Sequence, residues 1–101
     1  MKILITGGAG FVGSQLGHHL TLEGHDVLLV DDMSFGNEDN LEIDGKRFGT
    51  FFKTDIRDRK IEELFRNVDV VFHFAGISSL PICQENPSLA LDVNVTGTAR
   101  I

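Results

Sequence analysis

Four glycines between positions 7 and 13 constrain the fold more than any other feature of the sequence. They follow the apolar segment Ile3–Ile5, which is typical of a buried strand, and they precede a segment with helical periodicity. In this context Gly7 permits a tight turn, Gly10 lets the backbone approach a phosphate, and Gly13 lets the helix lie close to the sheet. The pattern predicts a dinucleotide-binding loop, in which helix N–H groups hold a pyrophosphate. No lysine lies in the loop, which excludes a P-loop.

An acidic pair after the next apolar segment extends this pattern. The chain turns at 23–25 and then runs apolar into Asp31, which is followed by Asp32. A carboxylate about 20 residues beyond such a loop, at the end of the second strand, accepts hydrogen bonds from the adenosine ribose and repels an added 2′-phosphate. We therefore expect NAD, rather than NADP, as the ligand. The alternative is that Asp31 and Asp32 only initiate a turn.

Size and charge argue against several classes of protein. The 101 residues suffice for one small domain, and a net charge of −6 without a basic run argues against binding to nucleic acid or to an anionic membrane. The apolar runs have the length of strands, and the chain enters its first strand at once, which leaves no room for a signal peptide. Cys83 is the only cysteine, so no internal disulfide forms. We expect a cytoplasmic protein that does not cross a membrane.

The histidines do not suggest a metal site. His18 and His19 are adjacent in a predicted helix, where neighbouring side chains diverge by about 100° and make poor joint ligands. His73 ends an apolar segment, and we expect a core histidine that is hydrogen-bonded to backbone. Cys83 has no nearby His or second Cys, so we expect neither a metal ligand nor a catalytic thiol there.

Strand-like and helical segments alternate along the chain. Apolar runs predict strands at 2–6, 27–31, 50–54 and 68–75. A helix is predicted after the glycine loop by an apolar stripe, and a second one after Asp58; their apolar residues are Phe11, Leu16, Leu20 and Leu22 in the first, and Ile61, Leu64 and Phe65 in the second. The alternation predicts an α/β fold, namely a Rossmann-type doubly wound parallel sheet of about four strands with flanking helices.

Two segments depart from this alternation. The polar stretch 32–49 indicates a long loop, which begins where the adenosine would lie, and Phe35, Phe51 and Phe52 are candidates to flank that group. From Pro87 onward the pattern predicts a further helix, which continues to Ile101 without a capping residue. We therefore expect residues 1–101 to be one NAD-binding domain, truncated at its C-terminal end.

Five motifs occur in a characteristic order: the glycine loop at 6–14, the acidic segment at 31–37, Asp55-Ile56-Arg57, then 73–76 and 93–98. Together they cover the whole chain and resemble the extended short-chain dehydrogenase/reductase family, in particular its NAD-dependent nucleotide-sugar epimerases and dehydratases. The pattern is most similar to that of UDP-glucose 4-epimerases and related UDP-N-acetylglucosamine 4-epimerases. Epimerases of the galactose type often carry a lysine where this chain has Ser78, so the loop is more similar to that of N-acetylhexosamine epimerases and dehydratases.

The resemblance implies contacts with the adenosine half of NAD. The backbone N–H groups of Phe11 and Val12 would face the pyrophosphate, and Asp31 would bind the ribose. Asp55 would accept a hydrogen bond from the exocyclic amine of adenine, although it could instead cap the next helix. The residues implied for this half are Gly7, Gly10, Phe11, Val12, Gly13, Asp31, Asp32, Ser34, Asn37, Asp55 and Ile56.

The resemblance also implies the surroundings of the nicotinamide half. Phe74, Ala75 and Gly76 would pass beside the nicotinamide ribose, where small residues keep the pocket open. Asn94 would project from a late helix and steady the backbone of the active site.

The family's acid/base pair has no counterpart in the chain. The family uses a tyrosine and a lysine four residues later, whereas this chain contains no tyrosine. The resemblance therefore implies the NAD-binding part of an epimerase (an isomerase) or dehydratase that acts on a UDP-sugar by transient hydride transfer to NAD. It implies no catalytic residue within 1–101 and no turnover by this chain alone, and it assigns the nucleotide sugar and a homodimer partner to the full-length parent. The alternative is a non-catalytic NAD-binding module, such as a redox-responsive regulator with the same fold.

Overall fold

A parallel sheet with helices on both faces forms the structure, a computed structural model that describes residues 1–77 and 79–101. Along the chain the elements are β1 (Lys2–Thr6), α1 (Phe11–Leu22), β2 (Asp26–Asp31), a 3-10 helix (Glu38–Leu41), β3 (Glu42–Ile43), β4 (Lys46–Arg47), β5 (Thr50–Lys53), α2 (Ile61–Leu64), β6 (Val70–His73), α3 (Leu80–Glu85), α4 (Pro87–Leu91), a π-helical segment (Asp92–Gly97) and α5 (Thr98–Arg100).

The main sheet has four strands in the order β5-β2-β1-β6, and every neighbouring pair is parallel. The chain adds strands outward from β1 to β5 and then returns to pair β6 with the other side of β1. This reversal makes the line between β1 and β6 the switch point of a doubly wound sheet, where ligands bind in such folds. The predicted fold class is confirmed, and each predicted strand is found within one or two residues of its expected ends.

The two faces of the sheet carry separate apolar cores. Ile3, Ile5, Val27 and Leu29 point to one face, where they pack against Leu41 of the 3-10 helix and against α1. Leu4, Leu28 and Val30 point to the other, where they pack against Ile56, Ile61 and the apolar side of the π-helical segment. The alternation follows from the two-residue period of a strand. Because both faces are covered, the strands read as continuous apolar runs.

Helix α1 contacts the sheet mainly through small residues, which corrects part of the predicted apolar stripe. Leu16 and Leu20 pack against the core on this side of the sheet, as predicted, but the other two members do not. Phe11 and Leu22, two of its four predicted members, are 77% and 72% exposed. The buried residues of the helix are Gly13, Ser14 and Gly17. A Cβ on Gly17 would lie 2.8 Å from the Leu29 side chain, so the backbone of α1 approaches the sheet too closely for larger residues.

The segment 32–49 is not the structureless loop that its composition indicates. It holds the 3-10 helix and a small antiparallel hairpin, in which Glu42 pairs with Arg47 and Ile43 with Lys46. Asp44 and Gly45 form the turn, and both have positive φ, as the common two-residue hairpin turn requires. Leu41 anchors the segment, because its side chain is 1% exposed in the first core.

The C-terminal segment is helical from Pro87 to Arg100, as predicted, but its middle is a π-helical segment. Helix α3 precedes it and was not predicted from the sequence. Within residues 1–77 and 79–101, no helix combines the length and the hydropathy needed to span a membrane.

Candidate functional site

A cavity of about 290 Å³ opens at the carboxyl ends of the four main strands, beside the switch point. Most of the lining comes from the four loops that follow these strands, so the topology alone brings together residues far apart in sequence; the helical segment after Pro87 supplies the rest. The lining residues are Gly7, Gly10, Val30, Asp31, Asp32, Ser34, Phe35, Gly36, Thr54, Asp55, Ile56, Arg57, Phe74, Ala75, Gly76, Ile77, Leu89 and Val93.

The glycine loop leaves no room for side chains at its first and last positions. Gly7 has a φ of +69°, and a Cβ there would lie 2.8–2.9 Å from backbone atoms of Phe74 and Ala75. A Cβ on Gly13 would collide with the carbonyl oxygen of Gly7. Gly10 donates its N–H to that same oxygen at 3.1 Å, which closes the turn. The loop therefore lies directly against the end of β6 on one side and against the start of α1 on the other.

Helix α1 begins at this loop with its amide groups available. Its N-cap is Gly10, which has no side chain to accept a hydrogen bond from them, and the first turn contains no acidic residue. Phe11 and Val12 are the first residues of the helix, so their N–H groups have no intrahelical acceptor. The partial positive charge of a helix N-terminus favours an anion at this position. The structure therefore offers a backbone cradle for a phosphate group.

Asp31, at the end of β2, holds the glycine loop as well as facing the cavity. Its Oδ2 accepts the N–H of Ala9 at 3.0 Å, and its Oδ1 accepts the N–H of Met33 at 2.8 Å. A carboxylate has about four acceptor positions, so hydroxyl groups of a ligand can still bind to it. Asp32 makes a local turn by accepting the N–H of Ser34 at 2.9 Å. The turn predicted as an alternative to ligand binding is thus present, and Asp31 also lies beside the phosphate cradle.

The carbonyl of Ala9 ties the 32–41 segment to the glycine loop. It accepts the backbone N–H of Asn37 at 3.1 Å and the side-chain amide of Asn40 at 2.9 Å. The side chain of Asn37 caps the 3-10 helix by accepting the N–H of Asp39 at 2.9 Å, and Asn37 does not line the cavity. Asn37 therefore has a capping contact in this structure, and its contact with the adenosine side stays a prediction.

Asp55 follows β5 and forms an ion pair with Arg57. Its Oδ1 accepts the backbone N–H of Arg57 at 2.9 Å, and the guanidinium contacts both carboxylate oxygens, at 2.6–3.1 Å. These hydrogen bonds from Arg57 lower the pKa of Asp55. The carboxylate therefore stays ionised at neutral pH and acts only as an acceptor. Asp55 caps the local turn at Arg57, whereas Asp58 accepts the N–H of Lys60 immediately before α2.

The loop after β6 forms the wall nearest to the glycine loop. Phe74, Ala75 and Gly76 line the cavity, and the buried Ile77 follows them. Asn94, in the π-helical segment, clamps this loop: its Oδ1 accepts the N–H of Ile77 at 2.7 Å, and its Nδ2 donates to the Ile77 carbonyl at 2.9 Å. Asn94 thus touches the backbone of the wall, and it lies outside the lining of the main cavity.

His73 lies at the end of β6 in a chain of side-chain hydrogen bonds, and not in the backbone contact predicted for it. Its Nδ1 is 2.6 Å from the Thr6 hydroxyl, and its Nε2 is 2.8 Å from the Thr98 hydroxyl. Thr98 donates its single proton to the Asn94 carbonyl at 2.6 Å, so it accepts from an Nε2–H of His73. Nδ1 is then the acceptor for Thr6. Burial lowers the pKa of His73, which agrees with a neutral ring.

The predicted site residues fall into two groups around the cavity. Ten of them line it: Gly7, Gly10, Asp31, Asp32, Ser34, Asp55, Ile56, Phe74, Ala75 and Gly76. The other five do not line it: Phe11, Val12 and Gly13 form the start of α1 next to the lining residue Gly10, Asn37 caps the 3-10 helix, and Asn94 clamps the loop after β6. Phe35 also lines the cavity, whereas Phe51 and Phe52 pack into the two cores on opposite faces of the sheet. The expectation for Ser78 lies outside the described residues.

Sequence reasoning assigned no position in the site to Arg57, Leu89 and Val93, although they line the cavity. Leu89 and Val93 belong to the helical segment after Pro87, and only the tertiary fold brings that segment over the loop after β5. A signal for Arg57 was available, because an Asp–x–Arg tripeptide on a loop favours a local ion pair. Among the described residues, no group of three or more His, Cys, Asp or Glu side chains is arranged to hold a metal ion.

Known proteins resemble this chain along its whole length. A sequence profile of the NAD dependent epimerase/dehydratase family matches residues 3–101. UDP-glucuronic acid decarboxylase 1 of Danio rerio is 39% identical over 99 residues, which are 96% of this chain and 22% of that protein. The UDP-glucose 4-epimerase of Thermotoga maritima, solved with UDP-glucose, has a TM-score of 0.91 at 34% identity and matches 99% of this chain and 32% of its own.

A solved relative that contains NAD is about as similar to this chain as the Thermotoga enzyme. The UDP-glucose-4-epimerase of Stenotrophomonas maltophila, solved with bound NAD and formylated UDP-arabinopyranose, has a TM-score of 0.89 at 34% identity. It matches 99% of this chain and 32% of its own length. The chain therefore spans about a third or less of each of these three relatives. The profile match over almost every residue, together with the fold and the glycine loop, shows that the chain belongs to the NAD dependent epimerase/dehydratase family.

Proposed function

We propose that the chain binds NAD in the cavity at the carboxyl ends of the strands and is the NAD-binding part of an enzyme that acts on nucleotide sugars. One observation carries the proposal: the glycine N-cap of α1 and the Asp31 carboxylate lie at the same cavity, joined by the hydrogen bond from Ala9 to Asp31. An anion cradle beside an acceptor for hydroxyl groups matches a pyrophosphate attached to a ribose. The NAD bound to the Stenotrophomonas relative supports the same assignment.

Each part of the cavity lining is assigned a contact with one part of NAD. The N–H groups of Phe11 and Val12 bind the pyrophosphate, and Asp31 accepts hydrogen bonds from the adenosine ribose. The Asp55 carboxylate accepts from the amino group of adenine, beside Ile56. Phe74, Ala75 and Gly76 border the nicotinamide ribose, and the clamp from Asn94 to Ile77 keeps that wall in place.

The charges of the cavity favour NAD over NADP. Asp31 and Asp32 lie together at the wall assigned to the adenosine ribose, where a 2′-phosphate would be placed. Like charges at this distance repel, and Arg57, the basic residue of the lining, is already paired with two carboxylates. We therefore expect weak binding of NADP.

The chemistry of the whole enzyme requires groups outside this chain. Bound NAD supplies a hydride acceptor at its nicotinamide ring. The chain itself contains no tyrosine, so the family's tyrosine–lysine pair cannot come from it. The chain spans 32% or less of the relatives described above, and we propose that the acid/base pair and the binding site for the sugar belong to the remaining part. This chain alone is then inactive, and the cytoplasmic location and the homodimer stay predictions from the sequence.

Calorimetric titration of the purified chain with NAD and with NADP tests the proposal. Asp31→Asn should weaken NAD binding about tenfold or more, because a hydrogen bond to a charged group contributes about 1.5–3 kcal/mol. It should also reduce the preference over NADP, since the repelling charge is gone. Asp26→Asn is the matched control: it makes the same change of charge at the exposed other end of β2. Equal binding of NAD and NADP by the wild type, or equal effects of the two substitutions, would contradict the assignment.

A further inference from the structure

Arg57 joins two carboxylates that belong to different parts of the fold. Its Nη2 lies 2.6 Å from Asp55, in the loop after β5, and its Nη1 lies 2.7 Å from Asp92, at the start of the π-helical segment. The side chains of Arg57 and Asp55 are 32% and 29% exposed, and both residues line the main cavity. The guanidinium therefore forms one ion pair with the helical segment, through Asp92, and a second with a carboxylate of the cavity lining, Asp55.

The hydrogen bonds from Arg57 restrict the rotation of the Asp55 side chain. The backbone N–H and Nε of Arg57 bond to Oδ1, while Nη2, with a longer contact from Nε, bonds to Oδ2. A carboxylate has about two acceptor positions on each oxygen. Arg57 donates three protons to these positions, from its backbone N–H, from Nη2 and from an Nε–H that is shared between the two oxygens. About one position of the carboxylate therefore remains open among the contacts that the described residues make. A side chain without this two-point contact can rotate about χ1 and χ2, and a partly exposed one can turn toward solvent.

We propose that Arg57 is a positioning residue, which fixes Asp55 so that its one open acceptor position faces the amino group of a bound adenine. The inference rests on the proposed binding of NAD. Arg57 is assigned no contact with the cofactor. It acts through Asp55, and its ion pair with Asp92 fixes the orientation of its guanidinium. The alternative is that Arg57 acts only as a structural staple, that is, it stabilises the fold by linking the loop after β5 to the helical segment through its two ion pairs.

The two alternatives predict different selectivities for the base of the dinucleotide. An acceptor held in place favours adenine, whose 6-amino group donates, and disfavours hypoxanthine, whose 6-oxo group accepts and would face the carboxylate. Nicotinamide hypoxanthine dinucleotide differs from NAD only at this edge of the base, where an oxo group replaces the amino group and N1 carries a proton. A staple would stabilise the site for both dinucleotides equally, so the ratio of the two dissociation constants separates the two roles.

The test is calorimetric titration of the purified chain with NAD and with the hypoxanthine analogue. We expect the wild type to prefer NAD by about tenfold or more, as for a hydrogen bond to a charged acceptor. Arg57→Met should reduce this preference to below about threefold, mainly by weakening NAD binding. Arg47→Met is the control: it removes an arginine from a more exposed pair with Glu42, at 4.0 Å and away from the cavity lining, and it should leave the ratio unchanged.

A second variant keeps the test decisive if Arg57→Met does not fold. Arg57→Lys retains the positive charge but cannot contact both carboxylate oxygens at once, so the ratio should fall by about threefold or more. An unchanged ratio in either folded variant, with both affinities lowered by the same factor, overturns the inference and leaves Arg57 as a staple. A wild-type ratio near one also overturns it while the proposed function stands. Failure of the wild type to bind NAD overturns both.

Discussion

Substitution of Gly7 tests the close contact between the glycine loop and the end of β6. In Gly7→Ala the new Cβ faces two separate costs. The φ of +69° is unfavourable for an L-residue by about 1–2 kcal/mol. The Cβ also lies 2.8–2.9 Å from backbone atoms of Phe74 and Ala75, and overpacking of this kind costs about 1–3 kcal/mol. We therefore expect a loss of about 2–5 kcal/mol in the free energy of unfolding.

Gly24→Ala separates the two costs. Gly24 has a φ of +91°, and a Cβ there would have no neighbour within 4 Å among the described residues. This variant should lose only the backbone contribution, about 1–2 kcal/mol. The difference between the two variants, about 1–3 kcal/mol, then measures the space available between Gly7 and β6.

The assay is urea denaturation followed by far-UV circular dichroism, with NAD titration of the folded variants. Gly7→Ala should also weaken NAD binding, because relief of the contact moves Phe74, a lining residue, away from the loop. Gly24→Ala should bind NAD like the wild type, since its turn lies at the other end of α1. Equal losses of stability in the two variants would refute the reasoning, because the backbone term alone would then account for both.

Two further predictions concern the clamp and the histidine beside it. Among the described residues, Asn94→Ala leaves the N–H of the buried Ile77 without a partner and its carbonyl with only the weak contact from the Cys83 thiol at 3.5 Å. The free energy of unfolding should therefore fall by about 1–3 kcal/mol in urea denaturation, and wild-type stability would show that the clamp contributes nothing. The lowered pKa of His73 means that the unfolded chain binds a proton more readily than the folded one, so stability should decrease as the pH falls below about 6.5 and level off below the folded pKa. Denaturation at pH 7.5 and 5.5 should show a smaller decrease for His73→Gln than for the wild type, and equal decreases would exclude His73 as a source of the effect.

The sheet and the position of the site could be predicted because several independent patterns agree on them. Apolar runs of strand length, a glycine loop between a strand and a helix, and an acidic residue after the second strand each require the same arrangement. The topology then brings Gly7, Asp31, Asp55 and Phe74 to one edge of the sheet without further information. Residue-level prediction of the lining was accurate where a residue directly follows a strand.

Prediction was less accurate where packing overrides local pattern. The stripe on α1 was wrong at Phe11 and Leu22, because a helix that lies close to a sheet uses Gly13 and Gly17 as its contact face. Periodicity of large apolar residues identified only Leu16 and Leu20, which pack against the core beside the two glycines. The N-cap made by Asn37 was also not predicted, because a carboxamide suits both a ligand contact and an N-cap; its contact with a ligand stays a prediction.

Short elements were missed for a different reason. The hairpin at 42–47 has only two residues in each strand, too few to show alternation, although the dipeptide Asp44-Gly45 is a hairpin signal. Helix α3 contains Pro81 in its first turn, which is a common start signal, but its six residues are too few for a helical period to stand out.

The hydrogen bonds at Ala9 limit how the cofactor preference of this chain could be redesigned. Replacing Asp31 by a small residue is the obvious route to NADP, but the same carboxylate holds the N–H of Ala9 in the phosphate cradle. The Ala9 carbonyl in turn accepts hydrogen bonds from Asn37 and Asn40 of the 32–41 segment. Binding of the ribose and binding of the pyrophosphate are therefore coupled, because removal of the Asp31 carboxylate to make room for a 2′-phosphate also removes the acceptor for Ala9. A small apolar residue at position 31 should weaken the contact with the pyrophosphate in both dinucleotides, so a variant that binds NADP well would also need a new acceptor for Ala9.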